Sequence, residues 1–335
     1  MKCRRFYTKL SALSLSSLFT FLILFPSAQA LETDQYMVWG KELNDASAYL
    51  NGFINKRTWK AIDEVNHMPK QQRNALDCEA VHRYILKSYN ENKGLDFISE
   101  IERLIYDDPT LSRYPHQKTG KIETIKQSIY KRSRLFRLKM FGINIKINGI
   151  YTGLDKTDHV FRTGYGYFKT YKKYRKKGKT EKEATIAAIK KGIMQEKTYY
   201  GFWVSGVFSY ADLEANYQGL RFHRNFCEGE KPYLFRRNGG SWGFSHQIDL
   251  KKYVNPWFDE SYNTSVYLAL RFKSVYPELK KHCSELGDQW LKDQDDYYQH
   301  WRGKESFSVR YLQEQIDSGK LPSPDRYSLK TICSS

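Results

Sequence analysis

Proline and cysteine are scarce in this 335-residue chain, at nine and five residues, and neither they nor the 21 glycines recur at a fixed interval. Collagen-like and low-complexity classes are therefore excluded. Acid is also in short supply: 37 Asp and Glu face 55 Lys and Arg, a formal net charge of +18. After residue 30 no stretch approaches the ~20 consecutive apolar residues of a spanning helix, which excludes a polytopic membrane protein. No Cys-x-x-Cys occurs, which argues against a zinc ribbon or a redox dithiol. His-Glu-x-x-His, a phosphate-cradling glycine loop and a dinucleotide fingerprint are missing too. Aromatic residues, by contrast, are abundant: 26 Tyr, 19 Phe and 7 Trp. A chain that cannot bury apolar area does not carry so many, so wholesale disorder is excluded. The length suits one large core or two modest ones.

Met1 to Ala30 reads as a secretory signal peptide. Lys2, Arg4, Arg5 and Lys9 form a basic start, Leu10 to Phe25 an apolar run, and Ala28-Gln29-Ala30 a small-residue cleavage site. Cleavage after Ala30 predicts a periplasmic or secreted protein with 51 basic and 37 acidic side chains, a net +14. An uncleaved membrane anchor is the alternative. Four cysteines then remain: Cys78, Cys227, Cys283 and Cys333. An exported chain can keep disulfides, and three pairings are open. The favoured one ties the C-terminal tail back through Cys283–Cys333 and leaves Cys78–Cys227; four buried thiols are the alternative.

Periodicity predicts a mainly α, bundle-like domain with one short β-hairpin, spanning 31–335. It divides into an N-terminal helical subregion (31–115), a core region (about 143–226) and a C-terminal region (227–335). Apolar positions at helical spacing mark residues 41–67, closed by Pro69. Asn74 would cap a second helix through Cys78, Val81 and Ile85, and Gly94 to Asp107 a third. Ile143, Ile145 and Ile147 alternate with polar residues before Asn148-Gly149, the strongest short hairpin signal. Helices are expected over 156–176, from the Thr180/Glu183 capping box to about Lys197, and from Ser209 to about Phe226. A last one is expected from Asp259 to Tyr276, interrupted by Pro277. Gly239-Gly240-Ser241-Trp242-Gly243 has the letters of a nucleophile elbow but lacks the strand and helix an elbow needs, and reads as a loop. Gly164 and Gly166 read as close helix packing.

The candidate site comes from polar residues four apart: Asp155 with His159, Asp212 with Asn216, and Asp259 with Asn263, beside Glu260. On a helix such pairs share a face. Glu196 lies near the end of the intervening helix. Asp155, His159, Glu196 and Asp212 would form the catalytic set, as ligands of one divalent cation or as a proton-transfer group, with Asn216, Asp259, Glu260 and Asn263 in support. The plainer alternative makes Asp155 and Asp212 helix-start residues and the amides loop stabilisers.

Asp155-Lys156-Thr157-Asp158-His159, then Glu196, then Asp212-Leu213-Glu214-Ala215-Asn216-Tyr217-Gln218-Gly219 resemble the VanZ-like pattern: Asp-Lys-x-x-His, a later Glu, then Asp-Leu-x-Ala-Asn-x-x-Gly. YfiM-like bacterial envelope proteins share it. The resemblance covers about 65 residues, Asp155 to Gly219. Over most of the mature length the chain also resembles a group of exported bacterial proteins, on Ser128-Ile129-Tyr130, Thr163-Gly164-Tyr165-Gly166-Tyr167-Phe168 and Tyr253 to Asn263. The resemblance implies a place in the cell envelope and a link to glycopeptide tolerance, and carries over no reaction. VanZ-like proteins are mostly integral to the membrane; this chain departs there, because its helices are too polar to span.

Lys169, Lys172, Lys173, Arg175, Lys176 and Lys177, with Lys179 and Lys182, make a dense basic stretch interleaved with Tyr167, Phe168, Tyr171 and Tyr174. Lys126, Lys131, Arg132, Arg134, Arg137 and Lys139 form a looser one. The expected partner is an anionic membrane surface or an acidic wall polymer; nucleic acid fits the charge but not export. Two functions stay open. One is metal-assisted or acid–base hydrolysis of an envelope component. The other is a non-catalytic scaffold whose polar cluster is a buried hydrogen-bond network.

Overall fold

The computed structural model describes residues 33–334 except 90–99, 102–103, 106, 115–125 and 133–142. The signal sequence, Arg134, Arg137, Lys139 and most of the helix expected over 94–107 lie outside the described residues. Helix α1, Ser47–Asn66, buries Leu50, Ile54, Ala61, Ile62 and Val65 along one face. A short α2, Lys70–Ala75, follows Pro69, so Asn74 lies inside a helix rather than capping one. Helix α3, Cys78–Ser88, is capped instead by Asp77, whose side chain accepts from the Ala80 N–H.

Strands β1 (Asn144–Ile147) and β2 (Ile150–Gly153) pair antiparallel in the expected hairpin. Its turn places Asn148 and Gly149 at φ 55° and 75°, the left-handed region that Asn and Gly tolerate best. The chain then enters α4, Leu154–Asp158, widens into a π turn over His159–Thr163, and resumes as α5, Gly164–Lys176. The π turn ends where the Gly164 N–H reaches back to the His159 carbonyl. Helix α6, Glu181–Glu196, opens on the expected capping box of Thr180 and Glu183. Strand β3 is Val207–Phe208, and α7, Tyr210–Arg224, is capped by Ser209. Helices α5, α6 and α7 pack against one another. Where α5 crosses α7, a Cβ on Gly219 would stand 2.4 Å from the Val160 carbonyl oxygen, and one on Gly164 2.5 Å from the Gly219 Cα. Only glycine fits there. Gly166 has no such neighbour.

Beyond α7, β4 (Leu234–Arg236) and β5 (Trp242–Phe244) form a second hairpin. Gly239 and Gly240 turn it at positive φ. Ser241 therefore sits in a hairpin, not at a strand-to-helix elbow. Strand β6, Val266–Tyr267, pairs with β3. Helix α8 runs Ala269–Tyr298, followed by α9, Phe307–Asp317, and α10, Leu329–Cys333. Two corrections fall here. Asp259 to Leu268 is loop and strand, not the start of a helix, and α8 passes through Pro277 rather than stopping at it. Buried Val275 and Leu279, together with the bridge to α10, outweigh the single hydrogen bond that proline cannot donate.

The disulfides are Cys78–Cys227 and Cys283–Cys333. The first fastens α3 to the end of α7, the second α8 to α10. Among the described residues no helix is long and apolar enough to cross a membrane.

Candidate functional site

Lys156, in the short α4, is fully buried. Its ammonium lies 2.6 Å from Asp155 Oδ2, 2.7 Å from Asp212 Oδ1 and 2.6 Å from Glu260 Oε1. Oxygens of those three carboxylates lie within 4.8 Å of one another. They come from α4, α7 and the 259–265 loop, so three separate parts of the fold meet at one cation. Asp155 takes a further hydrogen bond from the Thr33 hydroxyl, 3.0 Å.

His159 opens the π turn next door. Its Nε2 is 3.2 Å from Asp212 Oδ2, and its Nδ1 is 3.0 Å from Asn216 Oδ1. Nε2 faces a carboxylate and Nδ1 an amide oxygen, a setting that favours the doubly protonated ring. Asp212 and Asn216, four apart on α7, thus hold one histidine between them. The imidazole is 14% exposed, more than the side chains of Lys156, Asp155, Asp212 or Glu260.

Ser209 ties the other acids in. Its hydroxyl donates to Glu260 Oε1 at 3.0 Å and accepts the Asp212 N–H at 3.0 Å, while its own N–H points to Glu196 Oε2 at 3.4 Å. Glu196 ends α6 and is buried. Gly201 lies so close to it that a Cβ would meet the Glu196 carbonyl at 2.2 Å.

The environment separates these acids. Burial raises Asp212, yet His159 and Lys156 prevail and hold it well below the usual carboxylate range. Burial and the charge of Asp212 push Glu196 up to about 8. Burial raises Glu260 and Lys156 pulls it back; with Asp212 and Asp155 adding repulsion, it settles at about 7. Burial works against charge on His159, but Asp212 overcomes it and the imidazole is pushed up to about 9. The site therefore holds protons that titrate from about 7 to about 9.

The structure brings together Asp155, His159, Asp212, Asn216 and Glu260, with Glu196 joined through Ser209. It does not bring in Asp259 or Asn263. Asp259 accepts from Trp39 Nε1 at 3.2 Å, the Tyr298 hydroxyl at 3.0 Å and the Ser261 hydroxyl at 2.6 Å, in a separate network that sets the loop carrying Glu260. Asn263 donates to the Trp257 carbonyl at 2.8 Å. These two share no helix face, because the segment is not helical. Of the set expected to hold a metal, Asp155 and Asp212 converge with Glu260 closely enough to share one cation. The ammonium of Lys156 is the cation found where these carboxylates converge. Lys156 itself went unassigned, although it stands inside the Asp-Lys-x-x-His segment; a lysine between an acid and the histidine was the available signal. Ser209 and Thr33 carried no signal beyond capping.

The basic stretch divides. Lys172 is 2.8 Å from both Glu79 and Glu228, an ion-paired bridge rather than a binding residue. Tyr167, Phe168 and Tyr171 turn into the core, and Tyr174 is only partly exposed. Lys169, Lys173, Arg175, Lys176 and Lys177 are exposed.

Fold and site together define a mainly α-helical, doubly disulfide-bonded protein organised around a buried lysine–carboxylate cluster with a histidine at its edge. Comparison with family models, with curated proteins and with solved structures finds no match.

Proposed function

We propose that this is an exported cell-envelope protein whose Lys156-centred cluster exchanges protons through His159, in acid–base hydrolysis of an envelope component. Export is supported by the signal-like Met1–Ala30 and by the two disulfides. The VanZ-like resemblance supports a shared role, because Asp155, His159, Asp212 and Asn216 of that pattern are in contact, directly or through Lys156. One observation carries the reading. An imidazole raised to about 9 at the edge of the cluster is backed by two buried carboxyls, Glu260 and Glu196, raised to about 7 and about 8. In this reading His159 donates a proton to the leaving group as water adds to the other side of the broken bond, Glu196 reprotonates the ring and takes up the proton that the water loses, Asp212 and Asn216 hold the ring, and Lys156 fixes the local charge. The test incubates wild type and His159→Gln with isolated cell wall and with phospholipid vesicles, and analyses released products by mass spectrometry. Product from wild type alone is expected. No product from either protein, with both folded, overturns the catalytic reading.

A second reading is favoured by a separate observation. Burial, followed by the charges of Lys169 and Lys173, lowers the pKa of Lys191. These cations of α5 and α6 repel one another, as a surface built for an anionic membrane or wall polymer would. Charge reversal at Lys169, Lys173 and Lys176 should abolish low-salt binding to anionic vesicles or wall; unchanged binding counts against this reading.

A further inference from the structure

The four most exposed large apolar side chains in the described structure, Leu270, Trp203, Met194 and Tyr199, lie outside the basic stretch in two segments of the chain that also carry exposed Val204 and Leu268. Met194 and Tyr199 flank the end of α6; Trp203 and Val204 lie in the loop that follows; Leu268 and Leu270 open α8. Trp203 is 74% exposed and Leu270 86%. Hydrogen bonds join the two segments into one surface: Leu268 N–H to the Gly206 carbonyl at 2.9 Å, and Arg271 Nε to the Ser205 carbonyl at 2.6 Å. The loop is itself folded, through Trp203 N–H to Thr198 O at 3.0 Å and Val204 N–H to Gly201 O at 3.1 Å. It therefore presents its apolar groups from a fixed backbone. Such a concentration of apolar surface on a soluble face calls for a partner.

We propose that this surface docks on an anionic phospholipid bilayer. Charge argues for that occupant. No acidic residue occurs from Lys197 to Ala211 or from Ser261 to Pro277, while Lys197 and Lys273 are exposed beside the patch. Chemistry argues the same way. Trp and Tyr favour the headgroup level, Leu, Val and Met enter the acyl boundary, and flanking lysines meet lipid phosphate. Docking also serves the site. The Phe202 N–H donates to the Glu196 carbonyl at 2.9 Å, so the loop that meets the bilayer is anchored on a residue of the cluster. The inference rests on the envelope-surface reading and names its partner, with a different set of residues from the α5 lysines.

The test measures co-sedimentation with vesicles of phosphatidylcholine alone and of phosphatidylcholine mixed with phosphatidylglycerol. Four proteins are compared: wild type, Trp203→Ser/Leu270→Ser, Lys169→Glu/Lys173→Glu/Lys176→Glu, and His159→Gln, each checked for folding by circular dichroism. Wild type should bind the mixed vesicles. The apolar double variant should bind them at least about tenfold more weakly. His159→Gln should bind like wild type whether or not the site is catalytic. The proposal is overturned if wild type does not bind, or if the double variant binds like wild type. In the latter case, loss of binding in the lysine variant would leave the basic-helix reading standing alone. It is also overturned if the double substitution converts a wild-type dimer to a monomer without changing vesicle binding.

Discussion

Replacing Lys156 by methionine keeps the length of the side chain and removes its charge. The carboxylates of Asp155, Asp212 and Glu260, all within 2.7 Å of the ammonium, then face one another without it. Removing one partner of a buried ion pair costs about 3–5 kcal/mol, because the other charge stays behind desolvated. Here three acids stay behind, but Glu260, at about 7, takes up a proton readily. The upper end of the range is therefore expected at pH 8, and a smaller loss at pH 5.5, where Glu260 is already protonated. For a chain of this size a loss of 3–5 kcal/mol lowers Tm by roughly 6–10 °C. Urea denaturation followed by tryptophan fluorescence at both pH values, with the disulfides intact, measures it. Adding Glu260→Gln to Lys156→Met should recover part of the pH 8 loss. A Lys156→Met protein as stable as wild type at pH 8, or one whose loss is the same at both pH values, refutes the counter-charge argument.

Alkaline pH should destabilise the wild type. His159, at about 9 when folded, contributes stability that is complete below its ordinary value near 6.5 and lost as pH rises through 9, about 3 kcal/mol in all. Glu196 and Glu260, both raised, act in the same direction up to about 8 and 7. Below pH 6.5 the buried His82 and His223, both lowered, oppose them, so the clean window is pH 6.5–9; a flat or rising Tm across it contradicts the assignment. Glu196→Gln mimics the protonated acid and should be near neutral at pH 6 but more stable than wild type at pH 9, as judged by the same melts. Equal destabilisation at both values would mean that Glu196 is ionised in the native protein. Gly219→Ala places a Cβ 2.4 Å from a backbone oxygen and should cost at least about 3 kcal/mol, with Gly166→Ala, which meets nothing, as the tolerated control in urea melts.

Local chemistry made much of the fold legible. Asn148-Gly149, the Thr180 capping box and the Ser209 cap act over two to four residues, and the corresponding elements start where expected. The proline in α8 was misleading because its cost is local, whereas the packing of Val275 and Leu279 that overrides it comes from distant residues. The loop carrying Asp259 and Glu260 was equally hidden. Its conformation is set by Trp39 and Tyr298, and no helical or strand period announces it. Within the site, spacing on α7 correctly paired Asp212 with Asn216, since both reach His159. Spacing could not reveal that Lys156 would lie at the centre. A lysine in a short polar helix reads as surface until Asp212 and Glu260 are brought from remote segments to join Asp155 around it.

The composition of the cluster also explains why its two glutamates are moved toward neutrality while Asp212 is held down. Four carboxyls, of Asp155, Glu196, Asp212 and Glu260, face two cations, Lys156 and His159. Full ionisation would leave two surplus negative charges in a buried setting, where unpaired charge is costly. Two protons restore balance. Asp212 cannot take one easily, since it touches both cations. Glu196 has only a backbone N–H among its hydrogen-bond donors here, and Glu260 shares its lysine with two other acids. The proton demand therefore falls on them. Of the groups that hold charge, His159 is the most exposed, so exchange between the stored protons and the outside is most direct through that ring. The same geometry that makes the cluster expensive to bury places its most exposed side chain, His159, against the aspartate that holds the charge of both cations.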